Sequence, residues 1–192
     1  MKPIDREGAA RGIAAFLTAL GYDLREPELS RTPERVADAF AKELLSGRGV
    51  DLSELLLEGS EPSSGPSGLV VVRGVRVATM CPHHLLPALG TATLAYVPGK
   101  RLVGLGTLAR LVDVCARRLA LQETVGENVT AALIEHAGAR GAYCELELLH
   151  TCFAVRGAEQ PDARLVTVAR AGTLAEPGAA AELGLVLGRA AR

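Results

Sequence analysis

The chain has 192 residues, of which 48% are hydrophobic and 3% aromatic, and its formal net charge is −1. This length suits one domain with a substantial core, with or without a helical extension. The near-neutral charge gives no sign of a nucleic-acid-binding surface, and the apolar runs are too short to span a bilayer. The N-terminus lacks the apolar core of a secretory signal, and the four cysteines favour reduced thiols over a disulfide framework. The sequence therefore predicts a cytoplasmic protein with no nucleic-acid or membrane partner.

The first part of the sequence predicts helices. Residues 5–20 carry apolar side chains at helical spacing. A second helix is expected to begin with Thr32 as its N-cap and Pro33 at its first helical position. A short helical piece follows at residues 52–57. Together these segments predict an N-terminal helical extension over residues 1–58.

A linker and a sheet domain are predicted next. Residues 59–68 hold four serines, three glycines and two prolines, a composition typical of a flexible linker. Beyond it, β-branched runs and amphipathic patterns predict strands at 69–73, 75–79, 91–97, 145–155 and 164–170, and helices at 107–121 and 122–137. The order ββααββ indicates an α+β domain over residues 69–173, with two helices on one face of an antiparallel sheet, followed by a tail at 174–192. The open edges of such a sheet favour pairing with other subunits.

The residues best suited to chemistry lie in two short stretches, Cys81-Pro-His-His-Leu-Leu-Pro87 and His150-Thr-Cys152. Zn²⁺ prefers this mixture of thiolate and imidazole, and a catalytic zinc has three protein ligands and one open position. On a strand, the histidine and the cysteine of the second stretch would share one face. Cys81 and His84 could close on the same ion from a turn. Because the two stretches offer five candidate ligands, a closed structural zinc with four ligands is an open alternative.

The remaining cysteines and histidine have simpler interpretations. Cys115 lies on the apolar face of a predicted helix, and Cys144 lies at the start of the strand that leads to the second stretch. Both are predicted to be core residues, because a buried cysteine commonly behaves as a small hydrophobic side chain. His136, at the end of a helix, is most simply a helix-terminal or surface residue. None of the three is expected to take part in chemistry.

Several longer stretches occur in the order and at the spacing of one known enzyme family; they are Thr32-Pro-x-Arg-Val36, Cys81-Pro-His-His-Leu-Leu-Pro87, Tyr96-Val-Pro98, Val103-Gly-Leu105, Ala109-Arg-Leu-Val112, Arg117-Arg118, Gln122-Glu123 and His150-Thr-Cys-x-x-x-Arg-Gly157. In these stretches the chain resembles GTP cyclohydrolase I, over about residues 5–173. The resemblance implies a T-fold, or tunnelling fold, whose subunits join their sheets into a barrel. Two pentameric rings are expected to stack into a homodecamer with active sites between subunits.

The resemblance also assigns roles to particular residues. It makes zinc the cofactor and its ligands Cys81, His84 and Cys152. The acid–base groups beside the metal would be His83 and His150. The edge of the guanine would be held by Glu123, helped by Gln122, and the phosphates by Arg35, Arg110 and Arg156. The implied reaction opens the imidazole ring of GTP at C8 and yields formate and 7,8-dihydroneopterin triphosphate, a step of pterin and folate biosynthesis.

The chain departs from the family at positions that hold the triphosphate. The family has a serine and a lysine where this chain has Gly106 and Thr107, and it has a lysine where this chain has Asp38. A threonine-rich stretch is reduced to Val-Thr-Val-Ala at 166–169. Each lost charge-assisted contact weakens binding by about 1.5–3 kcal/mol if it is buried. Lysines of a neighbouring subunit, for instance Lys42 or Lys100, are candidate replacements.

These departures leave three interpretations. The first is a GTP cyclohydrolase I with an altered phosphate site. The second is a zinc hydrolase of the same fold that opens or deaminates a purine or nucleoside with fewer phosphates or none, which is what intact His83, His150 and Glu123 beside a depleted phosphate site would predict. The third is a non-catalytic member in which zinc holds the oligomer together, or which binds pterins or partner proteins. Removing the zinc would separate the third from the others, because a scaffold would fall apart whereas an enzyme would lose activity and keep its ring.

Overall fold

The computed structural model describes residues 3–65, 68–157, 159–179, 183–184 and 188. Within these residues the helices are α1 Arg6–Ala19, α2 Thr32–Ala39, α3 Leu52–Glu58, α4 Leu105–Ala116, α5 Gln122–Glu135 and α6 Thr151–Ala154. The strands are β1 Ser60–Pro62, β2 Val70–Met80, β3 Pro87–Val97, β4 Arg101–Val103, β5 Gly141–His150 and β6 Leu165–Gly172. A π-helical turn, Phe40–Leu44, continues α2, and a 3₁₀ turn, Thr173–Ala175, follows β6. None of the described helices is long and apolar enough to cross a membrane.

The domain is built on one antiparallel sheet with the strand order β2-β3-β5-β6. Helices α4 and α5 pack on one face of this sheet, α4 against β2 and α5 against β5 and β6. Alternate side chains of β5 point into that layer, and Cys144, Leu146 and Leu148 are buried there with Leu111 and Val129 of the helices. The predicted α+β arrangement is therefore confirmed.

A bulge in β2 replaces the predicted break between two strands. The register of β2 against β3 shifts between Val72 and Val75, and Gly74 between them has a φ of 71°. Glycine adopts this left-handed conformation without the steric penalty of a Cβ atom, so the extra residue is accommodated and pairing resumes. The segment is one strand with a local bend.

A second small sheet lies at the start of the predicted linker. Strand β1, Ser60–Pro62, pairs with strand β4, Arg101–Val103. Each has three residues, which is too short for an alternating pattern to reveal a strand in the sequence. Ser60 is buried, and its hydroxyl accepts a hydrogen bond from Arg101 Nε at 2.6 Å, while the same guanidinium donates to the carbonyl of Leu57. The division of the chain into extension, linker, domain and tail stays a prediction, and most of the predicted tail lies outside the described residues.

Two predicted helix ends differ from the structure. Thr32 is the first residue of α2 rather than its N-cap, and Arg31 takes the cap position. The hydroxyl of Thr32 donates to the carbonyl of Glu28 instead of capping the helix. Helix α4 ends at Ala116, five residues before its predicted end. After α4 the side chain of Arg118 donates to the backbone carbonyl of Gly47, so this segment packs against the N-terminal extension instead of continuing the helix.

The close packing of β3 against β5 predicts that a side chain at Gly90 lowers the stability of the fold. A Cβ atom added at Gly90 would overlap the carbonyl oxygen of Glu147, whereas one added at Gly106 would meet nothing within 4 Å. We expect Gly90→Ala to lower the free energy of unfolding by about 1–3 kcal/mol, the usual cost of overpacking. Gly106→Ala is the matched control and should be neutral or stabilising. Equal midpoints of thermal unfolding for the two variants would contradict the predicted packing.

Candidate metal centre and its surroundings

The loop between β2 and β3 presents two of the candidate ligands. It is closed by two backbone hydrogen bonds, from Cys81 N–H to Leu86 O and from Leu85 N–H to Cys81 O, both 3.0 Å long. Leu85 has a φ of 52°, a left-handed conformation that is uncommon for a residue with a Cβ atom. The tight loop directs Cys81 and His84 toward a common point, and the Cys81 Sγ atom lies 3.7 Å from His84 Nδ1.

The third candidate ligand arrives from the end of β5. His150 is the last residue of that strand and pairs with Ala88 of β3. Thr151 then donates its hydroxyl to the carbonyl of Pro87 at 2.6 Å, which ties the end of β5 to the loop. Cys152 lies in the short helix α6. The prediction that His150 and Cys152 share one face of a strand is therefore wrong, because the chain turns helical directly after His150.

The three candidate ligands nevertheless converge. The Sγ atoms of Cys81 and Cys152 and a ring nitrogen of His84 all lie within 4.8 Å of one another. Ligand atoms around a tetrahedral zinc are roughly 3.5–4 Å apart, given bonds of about 2.3 Å to sulfur and about 2.0 Å to nitrogen. The spacing and the donor set, two thiols and one imidazole, fit a zinc ion with one position left open. His83 is close by, with its Nδ1 atom 4.0 Å from Cys81 Sγ.

The protonation of Cys152 reflects this convergence. Burial raises the pKa of its thiol, and the neighbouring Cys81 raises the pKa further, while Arg156 acts in the opposite direction. A metal ion at the centre of the cluster would favour the thiolates.

His150 is held by a buried glutamine. Gln122, the first residue of α5, is 2% exposed, and its Oε1 atom lies 2.8 Å from His150 Nε2. Its Nε2 atom donates to the carbonyls of Leu146 and Leu165 and to the hydroxyl of Thr167, at 2.9, 3.0 and 3.1 Å. The amide predicted to assist at the guanine edge is thus engaged within the protomer. Burial lowers the pKa of His150, against an opposing effect of the Glu123 carboxylate.

Two cavities are lined by residues that contact this glutamine. One, of about 330 Å³, is lined by His150, Cys152, Phe153, Ala163, Arg164 and Leu165. The other, of about 450 Å³, lies between α5 and β6 and is lined in part by Glu123, Glu127 and Thr130. Glu123 is exposed, so its carboxylate is available to a ligand.

Arg164 lines the smaller cavity and was not predicted from the sequence, because it belongs to none of the matching motifs. Its Nη1 donates to the backbone carbonyls of Pro161 and Ala163.

The predicted phosphate ligands Arg35, Arg110 and Arg156 are all exposed. Among the described residues, none of the three guanidinium groups forms a hydrogen bond or an ion pair. Arg156 lies close enough to Cys152 to affect the pKa of its thiol. No described contact within one protomer joins Arg35 or Arg110 to the three candidate metal ligands.

The aspartate that replaces a family lysine is neutralised within the chain. Asp38 accepts hydrogen bonds from Lys42 Nζ at 2.8 Å and from Arg6, and these two cations, Lys42 first, lower the pKa of its carboxyl. The negative charge of Asp38 is therefore matched locally and ties α1 to α2. Lys42, a candidate replacement at the phosphate site, is committed to this pair. Lys100 is exposed in the turn between β3 and β4.

The chain is similar to known proteins over nearly its whole length. The model of the family described as GTP cyclohydrolase I matches residues 9–185. The GTP cyclohydrolase 1 of Leifsonia xyli subsp. xyli is 39% identical over 188 residues, which are 98% of this chain and 98% of that protein. The GTP cyclohydrolase 1 of Bifidobacterium longum is 37% identical over 179 residues, 93% of this chain and 88% of that protein. The GTP cyclohydrolase 1 of Clostridium perfringens is 34% identical over 173 residues, 90% of this chain and 92% of that protein.

The four cysteines are expected to differ in reactivity. Cys115 and Cys144 are 0% exposed, as predicted for core residues, and burial raises the pKa of the first to about 11 and of the second to about 12. In metal-free protein we expect iodoacetamide to alkylate Cys152 first, then Cys81, and the two core thiols only after unfolding. Zinc should protect Cys81 and Cys152, as followed by mass spectrometry of peptides. Unchanged labelling of Cys152 in the presence of zinc would contradict the site.

Proposed function

The chain belongs to the GTP cyclohydrolase I family, and from this premise we propose that it opens the imidazole ring of GTP by zinc-dependent hydrolysis at C8. The products are formate and 7,8-dihydroneopterin triphosphate. The observation that carries this proposal is the convergence of Cys81, His84 and Cys152 within 4.8 Å, at the end of the strand that also carries His150. The reduced thiols that such a site requires suit the cytoplasm.

Zinc is the metal proposed for this cluster, held by Cys81, His84 and Cys152. Three protein ligands with one open position are typical of catalytic rather than structural zinc. When bound, the zinc would supply Lewis acidity and make water nucleophilic near neutral pH. His83 stays outside the ligand set in this proposal and is available for proton transfer.

The acid–base work is assigned to His83 and His150. Ring opening requires that protons be taken from water and delivered to a departing ring nitrogen, and imidazoles exchange protons near neutral pH. His83 is exposed on the β2–β3 loop, whereas His150 is half-buried and hydrogen-bonded to Gln122. The two imidazoles therefore lie on different elements, one exposed to solvent and one held by a hydrogen bond to a buried side chain.

Glu123 is proposed to recognise the guanine. A carboxylate can accept both N–H donors on the edge of this base in a paired geometry. Glu123 is exposed in the first turn of α5, directly after the glutamine that touches His150. This adjacency supports a base bound with one edge at Glu123 and its imidazole ring toward the metal cluster.

A homo-oligomer is proposed to complete the site. Strands β2 and β6 are the two edges of the sheet, and exposed apolar side chains, Leu165, Val166 and Val168, lie on β6. Unpaired strand edges favour pairing with another copy of the chain. Such pairing, in a decamer of two stacked pentamers, would allow Arg35 and Arg110 of one subunit to face the metal cluster of another. Together with Arg156 they are the proposed phosphate ligands.

A second candidate function is hydrolysis of a purine or nucleoside with fewer phosphates or none. It is favoured by Gly106 and Thr107, which place no cation at the start of α4, where the family has a lysine. In the structure Thr107 packs beside Gly59. The acid–base and guanine-binding residues would serve this reaction unchanged.

A turnover assay distinguishes the two functions. We expect zinc-loaded protein to release formate and a pterin from GTP, with a kcat/KM at least about tenfold above that for GMP or guanosine, because each charge-assisted phosphate contact contributes about 1.5–3 kcal/mol. Chelation should abolish turnover, and added zinc should restore it. Silence on GTP together with turnover of guanosine, or release of ammonia, would contradict the first proposal and support the second.

The assignment of Glu123 can be tested with a neighbour on the same helix. We expect Glu123→Gln to lower kcat/KM for GTP by about 10- to 100-fold, since it removes the charge from two hydrogen bonds to the base. Glu127→Gln is the control, because Glu127 lines the same cavity one helical turn away and also loses a charge. It should change kcat/KM by less than about twofold. A larger loss in the Glu127 variant would show that the wrong carboxylate was assigned.

A further inference from the structure

The side chain of Gln122 is buried and hydrogen-bonded within the protein, which binding of a substrate alone would not require. Its amide is buried and spans three elements, bonding the end of α5 to the carbonyl of Leu146 on β5 and to the carbonyl of Leu165 and the hydroxyl of Thr167 on β6. The remaining atom, Oε1, contacts His150 at 2.8 Å. We propose that Gln122 is a positioning residue, which fixes the ring of His150 and keeps its proton on Nε2.

The orientation of the amide follows from its neighbours. Two of the three groups around Nε2 are backbone carbonyls, which only accept hydrogen bonds, so the NH₂ group must face them. A flipped amide would set its oxygen against those carbonyls and lose the bonds. Oε1 therefore faces His150, and Gln122 can only accept a hydrogen bond from the imidazole.

The tautomer of His150 follows in turn. Because Oε1 has no proton to give, Nε2 of His150 must carry the hydrogen. This follows from the geometry of the hydrogen bond alone, so Nδ1 is the nitrogen without a hydrogen in the neutral ring. Among the described residues nothing forms a hydrogen bond with Nδ1, so this nitrogen is the one that can contact a substrate or water.

The same contacts resist displacement of the ring. Leu146 and Leu165 lie on neighbouring strands of the sheet, so the amide is anchored to two strands at once. His150 is at the end of β5, four residues after Leu146, where pairing with β6 has already ended. Without Gln122 the imidazole would lack its only described hydrogen-bond partner. A misplaced acid–base group lowers the rate of the chemical step, and a displacement of about 1 Å costs as much as 100-fold.

The tautomer can be read directly, without turnover. In protein labelled with ¹⁵N-histidine and loaded with zinc, a long-range ¹H–¹⁵N correlation spectrum reports which nitrogen of each imidazole is protonated. The signals of His150 are identified by their loss in the His150→Asn variant. We expect a protonated Nε2 and a non-protonated Nδ1 in the neutral ring. The opposite tautomer in the wild-type protein would overturn the proposal.

Kinetics of two variants test the positioning role, which rests on the proposed function. Gln122→Met removes the bond to His150, and we expect kcat to fall about 10- to 100-fold with KM for GTP changed less than about twofold. The spectrum should then show both tautomers. Glu127→Gln is the matched control, because Glu127 is exposed on the same helix and its substitution leaves the amide and its contact with His150 intact; it should keep both the tautomer and kcat.

The outcomes separate this inference from the proposed function. A raised KM with unchanged kcat in Gln122→Met would assign Gln122 to guanine binding and overturn the inference. If Gln122→Met does not fold, the wild-type spectrum still decides the tautomer. A protein inactive on every purine, but with His150 protonated at Nε2, would reject the proposed function and support the assignment of Gln122.

Discussion

The register between β3 and β5 is the constraint on which the site depends. Ten consecutive pairs, from Ala88 opposite His150 to Val97 opposite Gly141, align the two strands. Because side chains alternate between faces, a slip of one residue would move His150 and the buried side chains of β5 to the other face of the sheet. The bond from Thr151 to the carbonyl of Pro87 fixes the same end of the pair. The pairing of β3 with β5 therefore brings the loop that carries Cys81 close to helix α6, which carries Cys152.

The start of α5 supplies the second half of the arrangement. Helix α5 packs on β5 and β6, and its first two residues face different surroundings. Gln122 is buried against His150, whereas Glu123 is exposed to solvent. A single helix terminus thus couples the position of an imidazole to that of a carboxylate. The arginines proposed for the phosphates have no such support within one protomer. Their exposure is consistent with a site that a second copy of the chain completes.

Residue types and their order were enough to predict a metal site where the two stretches meet, the α+β order and the core role of Cys115 and Cys144, whereas the choice of Cys81, His84 and Cys152 among five candidates came from the resemblance to the family. The path by which the cluster forms was not predictable, because residues 150–154 read as a strand and nothing local marks the turn into α6. The role of the Gln122 amide was hidden for a different reason. Its partners lie 24 to 45 residues away in sequence, so only the folded sheet brings them together. The bulge at Gly74 depends likewise on pairing with β3, which a single-strand pattern does not contain.

The central claim is that Cys81, His84 and Cys152 form one open zinc site. X-ray absorption at the zinc edge of the loaded protein measures this most directly. The account predicts two sulfur atoms at about 2.3 Å and two nitrogen or oxygen atoms at about 2.0–2.1 Å, with one sulfur lost in Cys152→Ser. A first coordination sphere of nitrogen and oxygen alone, or one that Cys152→Ser leaves unchanged, would contradict it.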